Sequence, residues 1–557
     1  MSKKTWLILV LALAFLCTFA VLCGTVGYWA LQKGRSAEGP GLSKGVEFPL
    51  VPPASGEPVS LGTLRLAGDL PPTLDPAMVQ DSTSAEYIVH LFSGLVTLDA
   101  DLEIVPDLAE RWEVDGTGRL YTFYLDPQAT FHNGRPILAE DVIYSIERAC
   151  DPALGSPVAP SYLDDIVGVA EYVQGRVEHI AGLKAPAAHT VQIEIDAPKA
   201  FFLAKLTYPT SFVVDREQIE REGESWMRQP NGSGPFRLES ISRERIVLVR
   251  NAAYHKGAPA LRRVEFIIDG GLPITMYENG ELDLVGVAPS EIERVLDPYN
   301  PLHNEHRVAP ELSVQYIGLN VDKPPFDDPL VRQALARAID REKLADLVLK
   351  GTARPALGIL PPGMPGFNEA LVGLSYDPEQ ARALLARSRY GAPGAMPEIR
   401  LAVSGTSGHM PPMTGAVVAM LKENLGLEVL VEQVEWADFL RDMNEHRYQA
   451  FSAGWVADYP DPQNFLDILF HSRSAQNHTG YANAEVDRLL ELARVEEDVD
   501  ARLEYYRQAE QKIVLDAPWI PLTHGLNHIL VKPYVQGYRA SAGLYPWLAD
   551  ISLKSEK

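Results

Sequence analysis

Residues 450–465 read AFSAGWVADYPDPQNF. Ala450 and Phe451 open an apolar strand, Gly454 interrupts its side-chain pattern, and Pro460 and Pro462 cannot continue a hydrogen-bonded ladder, so the chain turns there. The corner displays Trp455, Asp458 and Tyr459 together. Aromatic rings beside a carboxylate form a compact receptor for a cation with an apolar body. The same letters also describe a surface turn whose aspartate caps the next helix. Working outward, IRLAVSG (399–405), VVAMLKENLGLEVLVEQVEW (417–436) and DFLRDMNEHRY (438–448) alternate strand, helix, strand, helix. FLDILF (465–470) comes next, then helical patterns over AEVDRLLELARVE (484–496) and DARLEYYRQAEQKIVLD (500–516). The corner therefore sits in a mixed α/β lobe with parallel strand pairing.

The chain of 557 residues is too long for one core and divides into two to four domains. Its net charge of −24, from 50 basic and 74 acidic residues, excludes a nucleic-acid partner, because neutralising phosphates needs basic surface. Of the three cysteines, Cys17, Cys23 and Cys150, only the last lies outside the N-terminal apolar run. The folded part has no disulfide framework and no cysteine metal site.

Lys3 and Lys4 precede a stretch from Trp6 to Leu31 without a charged residue. As a helix it spans roughly 39 Å at about 1.5 Å per residue, enough to cross a bilayer. A secretory signal has a shorter apolar region before a small-residue cleavage site. Lipoprotein processing at Cys23 competes, but Leu22 is large for the preceding position and the apolar run continues beyond it. Residues 1–31 are thus expected to be an anchor, with 32–60, rich in Gly, Pro and Ser, as a tether. Beyond the tether, an acidic ectodomain is expected on the extracytoplasmic face, monomeric and without a cofactor.

Along the ectodomain, TLRLA (63–67) alternates as a strand and AEYIVHLFSGLVTL (85–98) has helical spacing. PDLAERWEVDGTGRLYTFYL (106–125) reads as short helix, strand, turn and strand. VQIEI (191–195) is a strand, and PKAFFLAKLTY (198–208) a proline-started helix. PPFDDPLVRQALARAIDREKLADLVLKG (324–351) is one long helical pattern ending at Gly351. Ser233, between glycines, lacks the GxSxG elbow and is a structural turn. His524 and His528 are four apart, but on a strand rather than a helix, which rules against zinc. His303 and His306 lie in a polar loop, where solvation is the simplest expectation.

Four blocks, in this order, resemble the extracytoplasmic solute-binding proteins of ABC importers, family 5 (peptide/nickel type): NGSGPFRLES from Asn231, GLNVDKPPFDDPLVRQALARAIDREKL from Gly318, GWVADYPDPQNFLDILF from Gly454, and APWIPL followed by VKPYVQGY near the C-terminus. The resemblance covers roughly 61–553. It implies an α/β, two-lobed, type II periplasmic-binding-protein fold with an extra domain in the first lobe and a hinged ligand cleft. Lobe 1 would comprise 61–310 plus 520–557, with the extra domain about 86–198, and lobe 2 would comprise 311–519. Arg332 and Asp340 would support fold and hinge.

The resemblance also implies that Asp458 pairs with a ligand α-ammonium. Main-chain groups of Gly454, Trp455, Val456 and Ala457 would add the peptide as a strand, with Trp455 and Tyr459 as apolar walls. Dipeptide-specific relatives use an arginine where this chain has SGTSGHM (404–410), so longer peptides or another solute are implied. Function is then capture of peptides for ABC permease subunits, without catalysis. The same fold also serves non-peptide solutes such as a nickel chelate, haem or an oligosaccharide. A secreted hydrolase is disfavoured because no nucleophile–base or metal constellation is visible.

Overall fold

A computed structural model of the chain describes residues 62–543 and 546–554. The expected anchor at 1–31 and tether at 32–60 lie outside the described residues. Among the described residues, no helix is long and apolar enough to cross a membrane.

Three sheets carry the fold. Thr63–Ala67 turns Leu64 and Leu66 inward and runs parallel to Arg263–Ile267, Leu64 opposite Val264 and Leu66 opposite Phe266. Arg245–Arg250 and Phe236–Ile241 complete this four-stranded sheet as a hairpin. A second sheet, fully antiparallel, places Leu120–Leu125 between Ala109–Val114 and Thr190–Glu194, with Leu183–Ala187 outermost. Period-two alternation buries Tyr121, Phe123 and Leu125 on one face.

The third sheet organises the molecule. Its strands run in the order Leu284–Gly286, Trp519–Val531, Ser313–Leu319, Ala450–Val456, Ile399–Ser404 and Val429–Val434. Ile399–Ser404 is parallel to both neighbours, the pairing that strand–helix alternation requires. Trp519–Val531 is thirteen residues long and changes partners midway. Its first part pairs with Ser313–Leu319 and Ala353–Pro355, its second with His306–Pro310 and Leu284–Gly286. Chain before Pro310 and chain after Ser313 thus share one continuous strand, and this gives the two-lobed arrangement.

Several elements differ from the sequence reading. The helix expected over 85–98 is Ser82–Leu91, capped by Asp81, and Val96–Leu98 is a strand. The short helix expected at the start of 106–125 is absent; Ala109–Val114 is a strand instead, because pairing with Leu120–Leu125 overrides the helical propensity of LAE. The helix expected over 198–208 contracts to Phe202–Lys205. The long pattern from 324 breaks into Pro329–Arg337, Arg341–Lys343 and a wider π-turn Leu344–Val348. Asp340 forces that break by capping Lys343 N–H, and so starts a new helix.

Buried cations then lock these pieces. Arg332 donates from Nε to the Asp516 carbonyl at 2.9 Å and from a terminal nitrogen to Phe326 at 2.7 Å. Arg341 donates to Pro521 on the long shared strand at 2.6 Å. Ser233 is structural, its Oγ accepting from Ser93 N–H at 3.1 Å. His306 is on a strand rather than a loop, half-buried, its Nε2 3.0 Å from Nδ1 of His528, with the two rings stacked.

Candidate functional site

The corner after Ala450–Val456 faces the other half of the molecule. Gly454 lies opposite Gln315, whose side-chain amide occupies the space that a Cβ would take. Gly454 is exposed; Trp455, Val456, Ala457 and Asp458 are half-buried. Tyr459 is 1% exposed. Its hydroxyl donates to Gln463 Oε1 at 2.6 Å, so it acts mainly as support beneath the corner.

Asn464 organises the site. Fully buried on the helix Gln463–Phe470, it accepts at Oδ1 from Trp455 Nε1–H at 3.2 Å and from the Asp458 backbone N–H at 3.1 Å. Its Nδ2 donates to Asp458 Oδ2 at 2.9 Å. Tyr162, from the first half of the chain, donates its hydroxyl to the same oxygen. The Tyr162 ring stacks on Tyr208 at 4.2 Å and meets Tyr459 edge-on at 6.4 Å. Burial pushes the Asp458 carboxyl up to about 6, against the donors Tyr162 and Asn464, which pull it down. Below the corner, Asp461 is held by Arg502 at 2.7 Å, and the Arg502 guanidinium lies over the Phe201 ring.

Two cavities meet at Asp458. One, about 840 Å³, is bounded by Val89, Leu98, Phe212, Leu312, Ala457 and Trp547. The other, about 810 Å³, is bounded by Tyr316, Trp436, Phe439, Met443 and Gly454–Val456 from one half, with Gln80, Asp81 and Tyr208 from the other. Among the described residues lining them there is no lysine or arginine. Further bonds span the two halves: Asn444 Nδ2 to Gln80 Oε1 at 2.7 Å, and Gln476 Nε2 to the Pro157 carbonyl at 2.8 Å. His478, 3.0 Å from Asn444 Oδ1, is kept neutral by burial, which pushes it down to about 3.

The structure therefore brings Gly454, Trp455, Val456, Ala457 and Asp458 to the wall of one interlobe cleft, with Tyr459 just beneath. The sequence reading missed Asn464, Tyr162 and Asp81. Asn464 was within reach of inspection, six residues beyond Asp458 in the same stretch. Tyr162 is 296 residues away and had no local signal.

The model of the bacterial extracellular solute-binding proteins, family 5, matches residues 103–477, more than half of the chain. The chain belongs to this family. It is similar to the probable deoxycholate-binding periplasmic protein YgiS of Escherichia coli, 32% identical over 480 residues, 84% of this chain and 89% of that protein. The periplasmic oligopeptide-binding protein OppA of Escherichia coli is 31% identical over 481 residues, covering 84% and 87%. Among solved structures, the murein tripeptide binding protein MppA of Escherichia coli superimposes with a TM-score of 0.82 at 28% identity, over 89% of this chain and 99% of that one. Against MppA in its unliganded open form the TM-score is 0.64 over 89% and 98%. The overall match to that open form is thus the looser of the two.

Proposed function

We propose that this protein is the substrate-binding subunit of an ABC importer, capturing peptides by their amino end between its lobes outside the cell membrane. The observation that carries this reading is Asp458: a carboxylate at the junction of two cavities, raised toward neutrality by burial and held by Asn464 and Tyr162. A ligand ammonium there offsets the cost of the ionised carboxylate and adds charge-assisted hydrogen bonds. The main chain of Gly454–Ala457 offers strand-like pairing to an extended peptide, which gives affinity without side-chain selectivity. The relatives named for oligopeptides and murein tripeptide support the ligand class.

We also propose lobe 1 as 61–310 plus 520–557 with the extra domain about 86–198, and lobe 2 as 311–519. The exchange of partners along Trp519–Val531 supports a boundary of this kind. Binding without catalysis, and tethering of residues 1–31 in the membrane, complete the reading.

The relative named for deoxycholate raises a second reading, an amphipathic sterol acid in the apolar cavity beside Trp547. An anionic carboxylate would find Asp458, Asp81 and Asp99 around the cleft and, among the described lining residues, no lysine or arginine, which favours the peptide. Calorimetry decides. A tetrapeptide with a free amino end should bind, its N-acetylated form should lose about 2–5 kcal/mol, and Asp458→Asn should lose as much. Equal affinity for the free and acetylated peptides would falsify the assignment of Asp458.

A further inference from the structure

The cavity against Trp436 holds a second carboxylate. Asp81 caps the helix Ser82–Leu91, its Oδ1 accepting from Ser84 N–H at 2.9 Å. Its other oxygen, Oδ2, has no hydrogen-bond partner, although the residue is only 8% exposed and lines the cavity. The Trp436 indole, from the opposite lobe, lowers the carboxyl together with the donors Ser84 and Thr83, but burial outweighs them and pushes it above its ordinary range. A buried carboxylate whose second oxygen has no donor at hydrogen-bond distance is costly, and a ligand cation there would offset that cost.

The surroundings define what that group is. Tyr316, Trp436, Phe439 and Trp455 give the cavity aromatic walls, and Leu440 and Met443 extend them. Such walls accept the methylene stem of a lysine or arginine and attract its charge through their ring faces. Among the described lining residues the one ionisable nitrogen is that of His478, which stays neutral. Among the described lining residues no lysine or arginine competes for Asp81.

We propose that this cavity is a second cation subsite in which Asp81 receives a basic side chain of the peptide whose ammonium is held at Asp458. The inference rests on the peptide reading and deepens it. Both carboxylates line one cavity, so the basic residue lies within the first few positions of the ligand. The substrate class is peptides with lysine or arginine near the amino end.

The test uses calorimetry on the protein with tetra-alanine and its variants carrying lysine, norleucine or glutamate at each of positions one to three. Norleucine keeps the stem and removes the charge. At one position lysine should bind about tenfold tighter than norleucine, and glutamate about tenfold weaker, as for a charge-assisted contact. In Asp81→Asn, which keeps a capping oxygen for the helix, the lysine-to-norleucine ratio should collapse toward one. In Asp458→Asn, all peptides should weaken together while that ratio persists. A ratio near one at every position in the wild type, with tetra-alanine still bound, overturns the subsite and leaves the peptide reading standing. Persistence of the ratio in Asp81→Asn overturns it equally. Failure of the folded wild type to bind any of these peptides, with circular dichroism verifying the fold, overturns both.

Discussion

Asp458 must ionise before it can pair with an ammonium, and burial pushes its carboxyl up to about 6. Affinity for a free-amino peptide should therefore be full above about pH 7 and fall by about tenfold per unit below 6, until the bound-state value is reached. A pH-independent dissociation constant from pH 7 to pH 5 would count against the pairing. Glu510 offers a separate test at a distance from the cleft. Its Oε1 accepts from the N–H groups of Ile359 and Leu360 at 2.8 and 2.9 Å, Oε2 has no partner, and burial raises it to about 7. Because the folded value lies above the unfolded one, this group favours the native state fully at low pH. The benefit is lost as pH rises from about 4.5 to 7. Glu510→Gln keeps the accepting oxygen, so its melting temperature relative to wild type should improve on going from pH 5 to pH 8. A constant difference would show that Glu510 is ionised throughout.

At the level of elements, every residue of the helix Gln463–Phe470 is buried. One face presents Asn464 to the cleft. Asp467 is clamped by Arg494 Nε and a terminal nitrogen at 2.7 and 2.6 Å. Asp467→Ala leaves Arg494 without that partner and should cost about 3–5 kcal/mol in urea unfolding, since a broken buried pair strands a charge. A loss under about 1 kcal/mol would mean that solvent screens the pair. The sequence showed this helix as the mostly apolar FLDILF without resolving its type, because so short a run carries no decisive periodicity. The strands Thr63–Ala67, Leu120–Leu125 and Thr190–Glu194 were legible from alternation alone. The strand before the DGTG turn was legible too, but not its start: Ala109 and Glu110 read as helix, because this edge strand leaves Glu110, Glu113 and Val114 exposed and alternation does not mark where it begins. The break at Asp340 was equally hidden, since the apolar spacing continues across it. The corner itself was legible as Trp455, Asp458 and Pro460. The partner that reaches it from the other lobe, Tyr162, comes from distant chain, and only the fold brings it there.

For the whole molecule, the bonds across the cleft set its resting shape. Tyr162→Phe removes the hydroxyl that joins Asp458 from the other lobe, a bond to a charged group worth about 1.5–3 kcal/mol. The ligand-free variant should show a larger radius of gyration by small-angle scattering than the wild type, and saturating peptide should bring the two together. Identical ligand-free curves would mean that Tyr162 does not govern closure. The strand Trp519–Val531 keeps partners on both sides of the point where the lobes part. Opening about that strand would leave it paired on both sides and would break the side-chain bonds that join the lobes. A permease that docks on both lobes and pries them apart does its mechanical work against Tyr162–Asp458, Gln80–Asn444 and Pro157–Gln476, together with whatever the cargo adds.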